Sequence, residues 1–203
     1  MRNPIRTLLL TLPAALISTL SLVWTGPASA EPVPAKVLAV ITAMSSDCTH
    51  FDATKIDAYT FNDPTQNGTS GGEYTIYQVP CSLAAYNTAE RYFLQGPYGG
   101  VTPVAFATPV VKTVYEDPQE MTRTKSISIT TYSSQISLSN SSFDAQFRSI
   151  SASHKWRGIG DASEGGTWRF EGGQFVLESY ALDPTFDGQT NVVTVWFQGK
   201  AID

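Results

Sequence analysis

Charge is scarce in this chain, and basic charge is scarcest. Only 15% of its 203 residues are Asp, Glu, Lys or Arg, with 13 basic side chains against 18 acidic ones. That balance excludes a wholly basic surface of the kind that binds nucleic acid. Histidine occurs twice, as His50 and His154, with no third ligand at a recognisable spacing, which argues against a metal centre. No cofactor-binding loop and no nucleophile elbow of the Gly-x-Ser-x-Gly type is read. No internal repeat of fixed period stands out, and no second domain boundary. Cysteine occurs only as Cys48 and Cys81, so a single pairing is possible within the chain.

What is present begins with an export signal. Arg2 and Arg6 form a short positive start, Thr7 to Trp24 is almost wholly apolar, and Ala28-Ser29-Ala30 supplies small residues for a peptidase. The sequence predicts cleavage of residues 1–30, leaving Glu31 first and residues 31–203 as one β-rich domain. A retained anchor is the competing reading. Pro13 and the Ser and Thr residues weaken it, because a spanning helix wants about 20 strongly apolar residues. No cysteine follows the apolar stretch, which disfavours a lipoprotein anchor. Removing Arg2 and Arg6 leaves 11 basic against 18 acidic residues, a net −7. The expected location is the periplasm, an oxidising compartment. An intramolecular Cys48–Cys81 disulfide is expected there and would contribute about 3–4 kcal/mol on the chain-entropy argument. Two free thiols or an intermolecular bond are the alternatives.

Beyond the stiff leader around Pro32 and Pro34, Val37, Leu38, Val40, Ile41 and Met44 fall at helical spacing, predicting a short helix near 34–46. Residues 47–72 are polar and turn-rich, with Phe51, Ile56, Tyr59 and Phe61 tacking them to the body. Strand patterns then dominate: around 74–79, 91–95, 102–108, 127–129 and 136–138. Phe143, Ala145 and Phe147 mark another apolar face. Trp168 and Phe170, then Gly172-Gly173, then Phe175 and Leu177 predict a hairpin. Val193, Val195 and Phe197 close the chain. The expected fold is mainly β, an antiparallel meander forming a sandwich or open barrel, with one short N-terminal helix.

Cys81-Ser82-Leu83-Ala84-Ala85-Tyr86-Asn87, Lys155-Trp156-Arg157-Gly158-Ile159-Gly160-Asp161 and the Trp168/Phe170/Phe175 hairpin, in that order, carry a resemblance. The chain resembles the bacterial domain of unknown function 1176 family, exported proteins of Gram-negative bacteria. The likeness covers about residues 35 to 199. It implies location and fold and brings no activity. The family pattern also implies a second cysteine pair, after the Gly-Asp and beyond the hairpin. Here Ala162 stands at the first place, and no cysteine lies between Ser179 and Thr190.

The strongest candidate for chemistry is the segment 155–161. Arg157 is suited to gripping a carboxylate or phosphate, with Trp156 as an apolar wall and Asp161 orienting the guanidinium. The same residues also suit a purely structural corner. Asn87 is a further candidate ligand group or turn cap, beside a buried Tyr86. Asp183, Thr185, Asp187 and Gly188 have the early spacing of a calcium loop, but the twelfth position is Thr194, not Glu. His154 reads as a surface residue. Asp161, Glu164, Glu171 and Glu178 could act as paired acids, or could simply be exposed strand positions.

The expectation is therefore a periplasmic, non-enzymatic module binding an envelope protein or a small ligand through Trp156, Arg157, Asp161 and Asn87. It is expected to be a monomer with no cofactor, no metal, no nucleic-acid partner and no membrane span after cleavage. The alternatives are a hydrolase of envelope polymer and an inhibitor of a lysozyme-type enzyme, the latter suggested by the acidic charge.

Overall fold

The computed structural model describes residues 32–63 and 72–201, with side chains through 199. The predicted signal and residues 64–71 lie outside the described residues. Pro34 caps helix α1 (Ala35–Met44), as its fixed φ allows. Val37 and Ile41, four residues apart, bury the same face of that helix. A 3-10 turn (Ala53–Lys55) follows, and then β1 (Asp57–Asn62). The sequence predicts only a polar, turn-rich segment here. Its polar residues hid an alternation in which Tyr59 and Phe61 both reach the core.

β2 (Glu73–Leu83) and β3 (Thr88–Gln95) pair antiparallel after β1, and two short strands share the far edge of β3. These are β4 (Val101–Pro103), beside Phe93–Gln95, and β7 (Ser137–Ser139), beside Ala89–Arg91. Between them in the chain, β5 (Phe106–Tyr115) and β6 (Thr124–Gln135) form a long separate hairpin. The strand expected over 102–108 is thus divided. Val104 keeps one hydrogen bond to Tyr92, 2.8 Å, and then the chain leaves this sheet for the hairpin. The second sheet is a pure meander: β8 (Ser142–Asp144), β9 (Ser149–Lys155), β10 (Ser163–Glu171), β11 (Gln174–Asp183), β12 (Val193–Phe197) and β13 (Lys200–Ala201). Neither sheet closes into a barrel.

Residue parity explains the layers. On β2 and β3, Ile76, Tyr92 and Leu94 face one way, while Tyr77, Val79 and Phe93 face the other. The first set joins Phe106 from the hairpin and Ile150, Trp168, Phe170, Phe175, Leu177, Tyr180 and Leu182 from the second sheet in one core. The second set packs against Val37 and Ile41 of α1. Both faces of the first sheet are therefore covered. Each fully buried aliphatic or aromatic side chain here contributes about 1.5–3 kcal/mol relative to exposure. Edge-on ring pairs such as Phe61 with Phe170, 4.9 Å, and Phe106 with Trp168, 5.4 Å, add directionality.

Cys48 and Cys81 are joined, tying the segment after α1 to β2. Beside them, Arg91 is 8% exposed and holds Asp47 through two bonds of 2.7 and 2.6 Å. It also donates to the carbonyl of Met44 at 2.7 Å, a cation at the helix C-terminus where the dipole favours one. The Gly172-Gly173 turn joins Glu171 to Gln174 in register. Both glycines have positive φ, as a two-residue hairpin of this type requires. Phe147 departs from the expected apolar face. Asp144 accepts from the backbone of Gln146 and Phe147, turning the chain so that the ring is 56% exposed. At the C-terminal end Val195 is buried while Val193 and Phe197 are exposed; β12 changes register against β11 beside Val195, which sets Phe197 opposite Ser179 and off the inward face.

Candidate functional site

The corner from Trp156 to Ala162 links β9 to β10. Trp156 donates its backbone N–H to Ala162, and Gly160, at φ +76°, donates to Arg157. Arg157 clamps Asp161 through both Nε and Nη2, the Nε bond being 2.6 Å. Asp161 is 3% exposed, and its Oδ2 also accepts the N–H of Gly188 at 2.8 Å. The Arg157 hydrogen bond holds the Asp161 carboxyl well below the usual carboxylate range, aided by the N–H groups of Gly188 and Ala162 against the opposing effect of burial. The guanidinium lies 5.2 Å over the ring of Phe186, which also meets Trp156.

Asn87 belongs to this corner. Its Nδ2 donates to the carbonyl of Lys155, and its Oδ1 accepts from Lys155 N–H and from Asn140 Nδ2. The Tyr86 hydroxyl donates to the carbonyl of Trp156. Tyr86 is 42% exposed and packs beside Gly158, so the expected burial next to the disulfide is corrected. The fold thus brings all four candidates together with the 183–188 loop. In doing so it uses their polar groups internally. In that loop, buried Asp183 accepts from Thr185 and Asn191, and Asp187 accepts from Gln189. The loop's carboxylates are engaged by its own amides and hydroxyl, as an Asx turn requires.

His50 stands near the disulfide, with its N–H donated to the carbonyl of Cys81. His154 meets Ser139 Oγ at 3.0 Å through Nδ1, and among the described residues no carboxylate forms an ion pair with it. A Ser-His-acid relay is not assembled there. One spacing corrects the sequence reading. Gly68-Thr69-Ser70-Gly71-Gly72 does satisfy Gly-x-Ser-x-Gly. It leads into strand β2, not into the helix that a nucleophile elbow needs.

A broader feature lies elsewhere. A groove of about 950 Å³ runs between the β5–β6 hairpin and the β10–β12 face. Tyr132 from β6, 45% exposed, meets half-buried Trp196 from β12 edge-on at 5.5 Å. Arg169 and Glu178 form an ion pair in its wall, with Nε to Oε1 at 2.9 Å, and Glu171 lines it as well. Glu178 reaches this position through a bulge. Thr167 pairs with Ser179 and Trp168 with Leu177, so Glu178 is the extra residue. Of the four carboxylates read as candidate acids, two therefore share the groove, while Asp161 is locked in the corner. Chemically the groove offers aromatic faces, a cation and carboxylates side by side. Tyr132, Trp196 and Arg169 carried no motif in the sequence. Only strand pairing brings them together, and an isolated aromatic on a strand reads as core.

Residues 68–198 match the family described as Protein of unknown function (DUF1176). The chain belongs to that family. The DUF1176 match spans Asn87, the corner and the groove-lining strands, and it begins beyond α1 and Cys48. An uncharacterised Escherichia coli (strain K12) protein, YpfG, is similar at 26% identity over 112 residues, 55% of this chain. This chain covers 28% of that relative's length. No solved structure matches the chain. No described helix is long and apolar enough to cross a membrane.

Proposed function

We propose that this chain is an exported, non-enzymatic binding module of the cell envelope, and that its ligand or partner docks in the groove under the β5–β6 hairpin. One observation carries the reading: Tyr132 and Trp196 present aromatic surface beside the Arg169–Glu178 pair in a broad, open cleft. Aromatic and Arg side chains in a concave site supply much of the energy in most recognition surfaces. The signal reading and the Cys48–Cys81 bond support a periplasmic address. On this reading residues 1–30 are removed, and residues 31–203 work as one monomeric unit. Arg157, Trp156, Asp161 and Asn87 act by holding the corner.

A photo-crosslinking residue placed at Val176, an exposed position in the groove lining, and separately at Ile159 on the exposed corner, tests the assignment in intact cells. An adduct from position 176 alone is the expected result. An adduct from position 159 with none from 176 would return the site to the corner. The shared groove position of Glu171 and Glu178 favours one second reading, a hydrolase of envelope polymer. Release of fragments from purified peptidoglycan, lost in Glu178→Gln, would establish that reading instead.

A further inference from the structure

A second, smaller cavity of about 260 Å³ lies where β7, β9, β10 and β11 meet, and it shares no lining residue with the docking groove. We propose that it binds a small organic cation, an alkylammonium group. Glu164 is the only residue of fixed charge in its lining, with no Lys or Arg to oppose it. That carboxylate is half-buried and makes no ion pair among the described residues. The lining is also aromatic. Trp168 and Tyr180 are 2% and 4% exposed, and both line the space.

Gly166 shows how closely these rings converge. A Cβ there would stand 2.9 Å from an atom of each ring, so β10 can pass only without a side chain. Two aromatic rings plus one carboxylate is the donor set that recognises ammonium, by cation–π attraction and charge. Tyr180 adds no competing charge. Burial, and then the Glu164 carboxylate, push its phenol upward, keeping it neutral. The Ser139–His154 hydrogen bond fixes the rim, and Ser153 offers a further oxygen.

Size and sign narrow the class. At about 30 Å³ per water the cavity holds roughly nine waters, which suits a choline-sized ligand and not a polymer. An anion would meet Glu164 with like charge. A neutral polyol would bring no positive charge to pair with that half-buried carboxylate.

The test uses the full chain with choline as the probe and its uncharged isostere, 3,3-dimethylbutan-1-ol, as the control, both followed by calorimetry. Choline is expected to bind with a Kd of about 1 mM or tighter, and the isostere at least about tenfold more weakly. Glu164→Gln should weaken choline at least about tenfold with an unchanged circular-dichroism spectrum. Tyr180→Phe, which keeps the ring, should retain binding. Equal affinity for choline and its isostere, no heat with choline at about 10 mM, or full binding by a folded Glu164→Gln protein would each overturn the proposal. If Glu164→Gln fails to fold, the choline–isostere comparison on the unaltered chain decides alone.

Discussion

The corner at 156–162 and the groove under the hairpin hold the same kinds of residue in opposite environments. Each holds an Arg–carboxylate pair and a tryptophan. In the corner, Asp161 is almost fully buried and shared between Arg157 and Gly188, with Asn87 bridging from another sheet. In the groove, the Arg169 and Glu178 side chains are 42% and 22% exposed, and Tyr132 stands half in solvent. A polar group that already has protein partners stabilises the fold. One that still faces solvent beside aromatic surface is available for recognition.

The largest predicted effect would collapse the comparison. Trp168 carries the hairpin on the second sheet through its N–H to the carbonyl of Ala107, 2.8 Å. Trp168→Ala should cost about 3–5 kcal/mol in urea unfolding and also abolish groove adducts. Next, replacing Cys48 and Cys81 together by Ser should cost about 3–4 kcal/mol in the same assay while leaving groove adducts intact. Asn87→Ala should cost about 1–3 kcal/mol, because three hydrogen bonds join it to the two sheets.

The fourth prediction is a pH dependence. The folded Asp161 carboxyl titrates below its unfolded value of roughly 3.9, so its contribution is complete above that value. It is lost as pH falls through the folded value. Melting temperature measured from neutral pH downward should drop below about pH 4, and Asp161→Asn should flatten that limb. Asp47, held down chiefly by Arg91, contributes in the same direction. The smallest stability change sharpens the contrast most. Tyr132→Ala should cost only about 0.5–1.5 kcal/mol, the worth of its edge-on pair with Trp196, and on the proposed docking role it should abolish binding in the groove. A large loss of stability with binding retained would exchange the roles of the two regions.

The fold was readable wherever one period dominated. Val37 and Ile41 marked the helix, and Gly172-Gly173 between Phe170 and Phe175 marked the hairpin. Cys48–Cys81 followed from counting and compartment. β1 was not readable, because only Tyr59 and Phe61 alternate within a polar stretch. Nor was Phe147, whose exposure depends on an Asp144 turn. At the corner the sequence did point to the right companions. What it could not show was that Asn140 and Gly188, distant in the chain, would consume their bonding capacity. The groove was invisible for a related reason: Tyr132, Arg169 and Trp196 meet through pairing and layer contacts with no local signature.

Glu178 illustrates what one surplus residue can do. The inward set on β11 runs Phe175, Leu177, then Tyr180 and Leu182, so the count skips once and the core continues. Against β10 it is the surplus residue, while its carbonyl still accepts the Gln198 N–H at 2.7 Å. A deletion there would leave the inward set uninterrupted while removing one charge from the cleft. Composition at position 178 can therefore vary without shifting the inward set, and the acid stands where the strand's alternation is interrupted.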